Sequence, residues 1–141
     1  MIRDTWGNPD IPDVATRLVF LLGATDDTKL QNSISEESSA HGDIVQGEFL
    51  DTYHNLSYKA IMGNLWVSEF CEQAEFVVKT DDDQFVDLYE VYDVTRYFLD
   101  STQYLENKFL LCPAWEQAIL RDQNQKHHAS YEDIPRQGEV S

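Results

Sequence analysis

The chain is poor in cysteine and in positive charge. Its two cysteines, Cys71 and Cys112, lack the C-x-x-C spacing of a zinc knuckle or a thioredoxin-type redox site, so both are excluded. A single disulfide or two buried thiols remain open. Ten Lys and Arg stand against 26 Asp and Glu, for a net charge of -16. Such a field repels phosphate backbones and anionic lipids, so we expect no nucleic-acid partner.

Long apolar runs and several catalytic patterns are also missing. No apolar stretch approaches the roughly 20 residues that span a bilayer, and Met1 is followed by Ile-Arg-Asp instead of an apolar leader. The six glycines form no G-x-S-x-G elbow, no Walker A loop and no G-x-G-x-x-G turn. What is present, 42% hydrophobic residues in 141, suffices for one domain with one core.

Apolar runs and helical spacings alternate along the chain. Residues 18–22, 43–46, 76–78 and 109–112 predict strands, of which the first and third read as buried. Residues 28–40 predict a surface helix that Gly42 ends, and 55–70 and 86–99 predict helices that pack on a core. Residues 121–141 are polar and aperiodic, which is typical of a loop. The order predicts an α/β domain, with helices layered on a parallel or mixed sheet.

Three consecutive carboxylates, Asp81, Asp82 and Asp83, directly follow the predicted strand 76–78. Their mutual repulsion needs compensation, and a divalent cation is the simplest compensator. Carboxylate oxygens suit Mg²⁺ and Mn²⁺, which also bridge the oxygens of a diphosphate. Ligands of open α/β sheets bind beyond the carboxyl ends of strands, where this triplet falls.

The triplet has structural alternatives. Acidic residues at a polar turn or helix start can pair with backbone N–H groups without any metal, and this interpretation stays open on the triplet alone. An EF-hand is excluded, because Phe85 and Val86 occupy the fifth and sixth positions counted from Asp81.

The remaining polar signals are weaker. His127 and His128 are adjacent, so their side chains point apart and do not predict a shared metal site, and His41 and His54 are lone residues. Asn55-Leu56-Ser57 is an N-x-S sequon, which has meaning only in the secretory pathway. Asn55 as the N-cap of the following helix is the favoured interpretation.

Four blocks, in order, resemble the β-1,3-galactosyltransferase and β-1,3-N-acetylglucosaminyltransferase family. Residues 2–7 look like the family's IRxTWG, and residues 19–23 look like its FLLG strand. Residues 43–59 are similar to DIxxxDFxDxYxNLTxK, and residues 79–86 are similar to KTDDDxFV. The resemblance covers the chain to about Ser130 and implies a GT-A-like, nucleotide-diphospho-sugar-binding layered sheet with helices on both faces, incomplete at the C-terminus.

By that resemblance, the chain would transfer galactose or N-acetylglucosamine from a UDP-sugar to a glycan, glycoprotein or glycolipid acceptor in β-1,3 linkage. The transfer would be inverting and would use Mn²⁺ (or Mg²⁺), at the lumenal side of the Golgi membrane. Asp83 and Asp81 would hold the metal. Asp82, Arg3, Asp51 and Lys59 would bind or brace the nucleotide-sugar, although the last three are equally plausible as ion pairs that hold the fold.

The resemblance also implies a domain organisation. Residues 1–130 would form the donor-binding portion, and residues 131–141 a loop cut short toward an acceptor half. The family's YPxYxxG segment and later acidic motif, which contains the catalytic base, would lie beyond Ser141, as an N-terminal anchor would precede Met1. Asp87 stands where the family often has Asn, and residues 126–130 are a degraded KWYVS. A catalytically inactive product that binds UDP-sugar, metal or a full-length partner is the alternative.

Overall fold

The computed structural model describes residues 1–100 and the single positions 112, 122 and 124. Short 3₁₀ turns at Ile2–Asp4 and Tyr53–Asn55 accompany two strands and three helices. These are β1 (Phe20–Ala24), α1 (Thr28–His41), β2 (Ile44–Leu50), α2 (Leu56–Phe70) and α3 (Leu88–Asp100). Strands and helices alternate along the chain, and the two strands form a small parallel sheet, which confirms the predicted α/β class.

The two strands form a parallel pair in which Phe20 lies opposite Ile44 and Leu22 opposite Gln46. Parallel strands need a crossover, and α1 supplies it. The predicted strands were displaced or too short: β1 begins two residues later than residue 18, and β2 extends to Leu50 beyond residue 46. Pairing explains the late start, because the Phe20 N–H donates to the carbonyl of Asp43 at 2.7 Å, just before β2 begins.

The sheet carries a helix on each face. Gln46 and Gly47 are neighbours in β2, so their Cα–Cβ directions point to opposite faces. The Gln46 side chain exchanges hydrogen bonds with Gln31 of α1 at 2.8 and 3.0 Å. A Cβ built on Gly47 lies 2.7 Å from Sδ of Met62, in α2. The predicted layering of helices on both faces therefore holds in this unit.

Local signals explain the bounds of α1. Asp27 is the N-cap, and its Oδ1 accepts the backbone N–H groups of Lys29 and Leu30 at 2.8 and 3.2 Å. Gly42 ends the helix in the left-handed conformation, with φ of 66°, and donates its N–H to Ser38. Glycine adopts this conformation without the steric cost of a Cβ. The predicted helix that Gly42 ends is confirmed.

The helix predicted over 55–70 is confirmed as α2, and Asn55 lies at its start as predicted, but the expected capping bond is missing. Asn55 occupies the N-cap position and makes no side-chain capping bond. Its Nδ2 donates instead to the carbonyl of Leu50, the last residue of β2, at 2.8 Å. The amide therefore ties the helix start back to the strand end.

The third predicted strand, residues 76–78, is wrong for the described chain. These residues pair with no described strand, and Val77 and Val78 are 57% and 46% exposed. An apolar run indicates that its side chains favour burial, whereas a strand also needs a second strand to pair with. The helix predicted from residue 86 begins later, at Leu88, because Asp87 Oδ1 accepts the N–H groups of Tyr89 and Glu90 and so caps it.

Burial in the described part is slight, and Val14, 5% exposed, is its one buried hydrophobic side chain. No helix within residues 1–100 is long and apolar enough to cross a membrane. Several predictions lie outside the described residues. They are the strand at 109–112, apart from Cys112, the loop from residue 121, apart from two single positions, and the domain boundary after residue 130.

Candidate functional site

Arg3 joins the first turn of the chain to the β-α-β unit. Its Nε and Nη2 donate to the two carboxylate oxygens of Asp43 at 2.6 and 2.9 Å, and its Nη1 lies 2.7 Å from Glu37 of α1. The guanidinium carbon also lies 4.6 Å from the centre of the Phe20 ring. Hydrogen bonding to Arg3 holds the pKa of Asp43 below its ordinary value, and the same bond raises the pKa of Arg3. Arg3 is thus an ion-pair member that braces the fold.

Asp51 occupies the carboxyl end of the parallel sheet. Its Oδ2 accepts the backbone N–H of Gly23 at 2.8 Å, and its two oxygens lie 2.8 and 2.9 Å from Nζ of Lys59. Burial acts to raise the pKa of the Asp51 carboxyl, but hydrogen bonds from Lys59 and Gly23 outweigh it, so the pKa lies below its ordinary value. The ion-pair interpretation of Asp51 and Lys59 is confirmed, and their contact with a nucleotide stays a prediction.

Side chains replace the backbone ladder at this end of the sheet. The register shifts between Leu22 and Ala24, so the strands no longer pair regularly around Gly23. Asp51 accepts from the Gly23 N–H, and Gln46 Nε2 donates to the Gly23 carbonyl at 2.9 Å. Both polar groups of an interrupted ladder are therefore satisfied, as partly buried backbone requires. This edge is also where ligands bind in open α/β sheets.

The acid triplet lies on an exposed turn. The Gln84 N–H donates to the carbonyl of Asp81 at 3.3 Å, and Lys79 Nζ lies 3.7 Å from the Asp81 carboxylate. Asp83 Oδ1 accepts from the Gln84 side chain at 2.9 Å. The side chain of Asp82 has no hydrogen-bond or ion-pair partner within residues 1–100. All three carboxylates are open to solvent.

The carboxylate oxygens of the triplet are suitable ligands for a divalent cation, but the described side chains do not form a closed metal-binding cage. Within the described residues, no group of three His, Cys, Asp or Glu side chains is arranged to hold a metal ion. Mg²⁺ and ions like it seldom need such a cage, because they keep several waters and take one or two carboxylates plus substrate phosphates. One or two carboxylates of Asp81 and Asp83 are enough for that mode. The predicted metal site stays a prediction.

A cleft of about 370 Å³ is lined in part by residues that follow the triplet along the chain. One wall comes from Thr5 and Trp6 of the first block and from Ile11, which follows it. The other wall runs from Phe85 into the start of α3. The lining is mainly apolar, with Asp87 as its one charged residue. Such a cleft offers a surface for a ring or an apolar edge, with a carboxylate at its margin.

The four sequence blocks meet in the structure. Arg3 of the first block binds Asp43 of the third, Gly23 of the second binds Asp51 of the third, and the cleft joins Trp6 to the fourth block at Phe85. The structure does not place Asp81, Asp82 or Asp83 in contact with Arg3, Asp51 or Lys59, so the two groups of predicted site residues remain separate.

Sequence reasoning missed two kinds of residue near the site. Gln46 and Glu37 bind partners 15 or more positions away, and no local pattern announces such contacts. Asp87 had a signal, because Asp87-Leu88-Tyr89-Glu90 places an acid three residues before Glu at the start of an amphipathic run.

Comparison with known proteins connects these blocks to one family. The family model described as Galactosyltransferase matches residues 1–138. Human beta-1,3-galactosyltransferase 5 is 44% identical over 88 residues, which cover 62% of this chain and 28% of the relative. Human beta-1,3-galactosyltransferase 2 is 41% identical over 112 residues, covering 77% of this chain and 23% of the relative. Mouse beta-1,3-galactosyltransferase 1 is 41% identical over 88 residues, covering 62% and 27%.

The matched part thus spans less than a third of the length of these curated relatives. The family model, by contrast, takes in nearly the whole of this chain, including all four sequence blocks. On that match, this chain belongs to the galactosyltransferase family, a family of glycosyltransferases.

Proposed function

We propose that this chain is the donor-binding portion of a β-1,3-galactosyltransferase that uses a UDP-sugar. The observation that carries the proposal is the family match over residues 1–138, which includes the exposed acid triplet. The similar proteins are named beta-1,3-galactosyltransferases, and this favours UDP-galactose over UDP-N-acetylglucosamine as the donor. The acceptor would be a glycan, glycoprotein or glycolipid.

The residues have separate roles in this proposal. Asp83, with Asp81, would hold Mn²⁺ or Mg²⁺ through carboxylate oxygens, and Asp82 would accept hydrogen bonds from hydroxyls of the donor. When bound, the cation neutralises the charge that the diphosphate gains as it leaves. Asp51 and Lys59 hold the carboxyl ends of β1 and β2 together, and Arg3 fixes the first block to Asp43, at the opposite ends of the two strands. These three residues would stabilise the part of the fold that binds the donor.

The transfer itself would be an inverting displacement. An acceptor hydroxyl attacks the anomeric carbon in line, a carboxylate takes the hydroxyl proton, and UDP leaves on the opposite side. No described residue is matched to that base. As a second candidate function, the chain binds UDP-sugar and metal, or a full-length relative, without transfer. For the active form we propose a Golgi membrane location on the lumenal side.

Thermal unfolding of the 141-residue chain with Mn²⁺ and UDP tests the donor site. A ligand at 100 times its Kd stabilises the folded state by about 2.7 kcal/mol, so the melting temperature should rise measurably. Asp83→Ala should abolish the rise. Asp26→Ala, which removes an exposed carboxylate outside the triplet, should keep it. An unchanged melting temperature in the wild-type chain would contradict the proposal.

A transfer assay then separates the two candidate functions. The same chain is incubated with Mn²⁺, UDP-galactose or UDP-N-acetylglucosamine, and a β-linked acceptor glycan. A ligand-induced rise in melting temperature together with transfer supports the enzyme. The same rise with no transfer from either donor supports the binding function.

A further inference from the structure

The cleft between the first block and the start of α3 is lined by aromatic rings that the fold leaves accessible. Phe85 is 80% exposed and Tyr89 is 52% exposed, and Trp6 on the other wall is half-buried. Exposed apolar rings gathered at a concave surface are a feature of binding sites. A ligand for this cleft must therefore cover aromatic faces.

Polar groups of the same lining residues are unused in the part of the chain that the structure describes. The Trp6 indole N–H donates to no described residue, and the Tyr89 hydroxyl makes no hydrogen bond there. Asp87 caps α3 through Oδ1 alone, so its Oδ2 is available as an acceptor. The lining thus combines aromatic rings with hydrogen-bond donors and one carboxylate acceptor.

The charge of the cleft restricts the ligand. Asp87 is the one charged side chain among the described lining residues, and no Lys or Arg stands there to offset a phosphate or a carboxylate. With a net charge of -16 on the chain, an anionic ligand would be repelled. A neutral sugar ring fits, because its C–H groups can lie on the negative face of an aromatic ring while its hydroxyls hydrogen-bond to a carboxylate.

The cleft also has a suitable size and place. Its volume of about 370 Å³ is at the small end of the roughly 300–1,000 Å³ of ligand pockets, which suits the end of a glycan. Phe85 follows Asp83 by two residues, so their Cα atoms are at most about 7 Å apart. A sugar in the cleft therefore lies within reach of a donor held by the triplet.

We propose that this cleft binds the terminal pyranose of an uncharged acceptor glycan. Phe85 and Tyr89 stack on the ring, and Asp87 accepts hydrogen bonds from its hydroxyls. The role as acceptor rests on the proposed function, whereas the binding of a neutral sugar does not. The portion of the chain that would hold the donor then also contributes to selecting the acceptor.

Saturation-transfer NMR with the 141-residue chain tests the site. Methyl β-galactoside and methyl β-N-acetylglucosaminide are titrated without metal or nucleotide while the aromatic protons of the protein are saturated. Saturation should reach the C–H protons of at least one glycoside and should be strongest on one face of its ring. Methyl β-galacturonide, which adds a carboxylate to the galactoside ring, should bind about fivefold more weakly. No transfer to either neutral glycoside, or equal binding of the galacturonide, overturns the proposal.

Matched variants assign the binding to the cleft. Phe85→Ala should weaken the affinity by about 2- to 10-fold, and Asp87→Asn, which keeps an oxygen for the helix cap, by about fivefold. Phe70→Ala removes a ring that is 64% exposed outside the cleft and should leave the affinity unchanged. Denaturation midpoints close to that of the wild type show that the variants are folded. Glycoside binding that neither cleft variant weakens overturns the assignment.

A donor analogue distinguishes an acceptor sugar from the sugar of the donor. UDP-galactose fluorinated beside the anomeric carbon, where the electron-withdrawing fluorine suppresses transfer, is added with Mn²⁺ at concentrations that raise the melting temperature. The glycoside should stay bound. Its displacement would show that the cleft takes the donor's own sugar and would overturn the proposal.

The outcome is separable from that of the donor site, because the glycoside titration contains neither metal nor nucleotide. A rise in melting temperature with Mn²⁺ and UDP but no glycoside binding would refute the cleft alone. Glycoside binding without that rise would refute the proposed donor site alone.

Discussion

Asp51 accepts the backbone N–H of Gly23 across the carboxyl end of the sheet at 2.8 Å, where the strand register is broken. Asp51→Ala should therefore leave a partly buried N–H without a partner. The expected cost is about 1–3 kcal/mol of unfolding free energy. Chemical denaturation of the 141-residue chain measures it.

Two further variants separate the backbone contact from the ion pair. Lys59→Met removes the cation and keeps the Gly23 contact, so it should cost about 1 kcal/mol or less, as expected for a partly exposed pair. Asp51→Asn retains an acceptor oxygen, so its cost in unfolding free energy should lie between those of Lys59→Met and Asp51→Ala. A larger loss for Lys59→Met than for Asp51→Ala would contradict the role assigned to Gly23.

Gly23 should tolerate no side chain. A Cβ there would lie 2.7 Å from the Phe49 carbonyl oxygen and 2.8 Å from the Asp51 nitrogen, both backbone atoms that cannot move aside without shifting β2. Gly23→Ala should cost about 1–3 kcal/mol or more, read from denaturation midpoints.

Gly63→Ala is the matched control for Gly23. Its Cβ would meet Leu21 Cδ1 at 2.5 Å, the end of a flexible side chain, while alanine gains about 1 kcal/mol of helix propensity over glycine. The Gly63 variant should be clearly the milder of the two. Equal costs would show that the backbone approach at Gly23 is not limiting.

The Arg3–Asp43 pair should make stability depend on acid pH. Asp43 has a pKa below its ordinary value of 3.8, so its contribution is complete above 3.8 and is lost as the pH falls through the lower, folded-state value. Asp43→Asn should cost about 2 kcal/mol at neutral pH, and the difference from wild type should shrink below pH 3.8.

Denaturant titrations of both proteins from neutral pH into acid measure that difference. Asp10→Asn, at an exposed carboxylate with no side-chain partner in the described residues, should behave as the wild type throughout. A difference between wild type and Asp43→Asn that persists unchanged in acid would argue against the ion pair.

Asp87 should act through its helix cap. Asp87→Ala removes the acceptor for the N–H groups of Tyr89 and Glu90 and should cost about 1 kcal/mol. Asp87→Asn should be nearly neutral, because asparagine caps about as well. Helix content by circular dichroism and the denaturation midpoint should both follow this order.

Much of the fold was predictable because its signals are local. Gly42 ended α1 as expected, and the apolar spacing over 55–70 located α2 to within one residue. The start of α3 was also readable from Asp87, had the capping pattern been weighed against the apolar periodicity.

The errors arise where structure depends on distant partners. Residues 76–78 are as apolar as β1, yet Phe20 has β2 to pair with and Val77 has no described partner. Likewise Arg3 and Asp43 are 40 positions apart, so only the fold reveals that the arginine braces the sheet. The sequence shows which chemical group a residue carries, and its tertiary contacts decide whether that group binds a ligand or stabilises the fold.

The link from Arg3 to α1 and β2 bears on how this unit is produced and studied. A shorter recombinant chain that begins after Arg3 would keep both strands and every helix but would leave the Asp43 carboxylate without its counterion. Amide exchange should then accelerate first at Phe20, whose N–H is bonded to the Asp43 carbonyl. The amino-terminal turn is thus part of the folding unit and a poor place for a cleavage site.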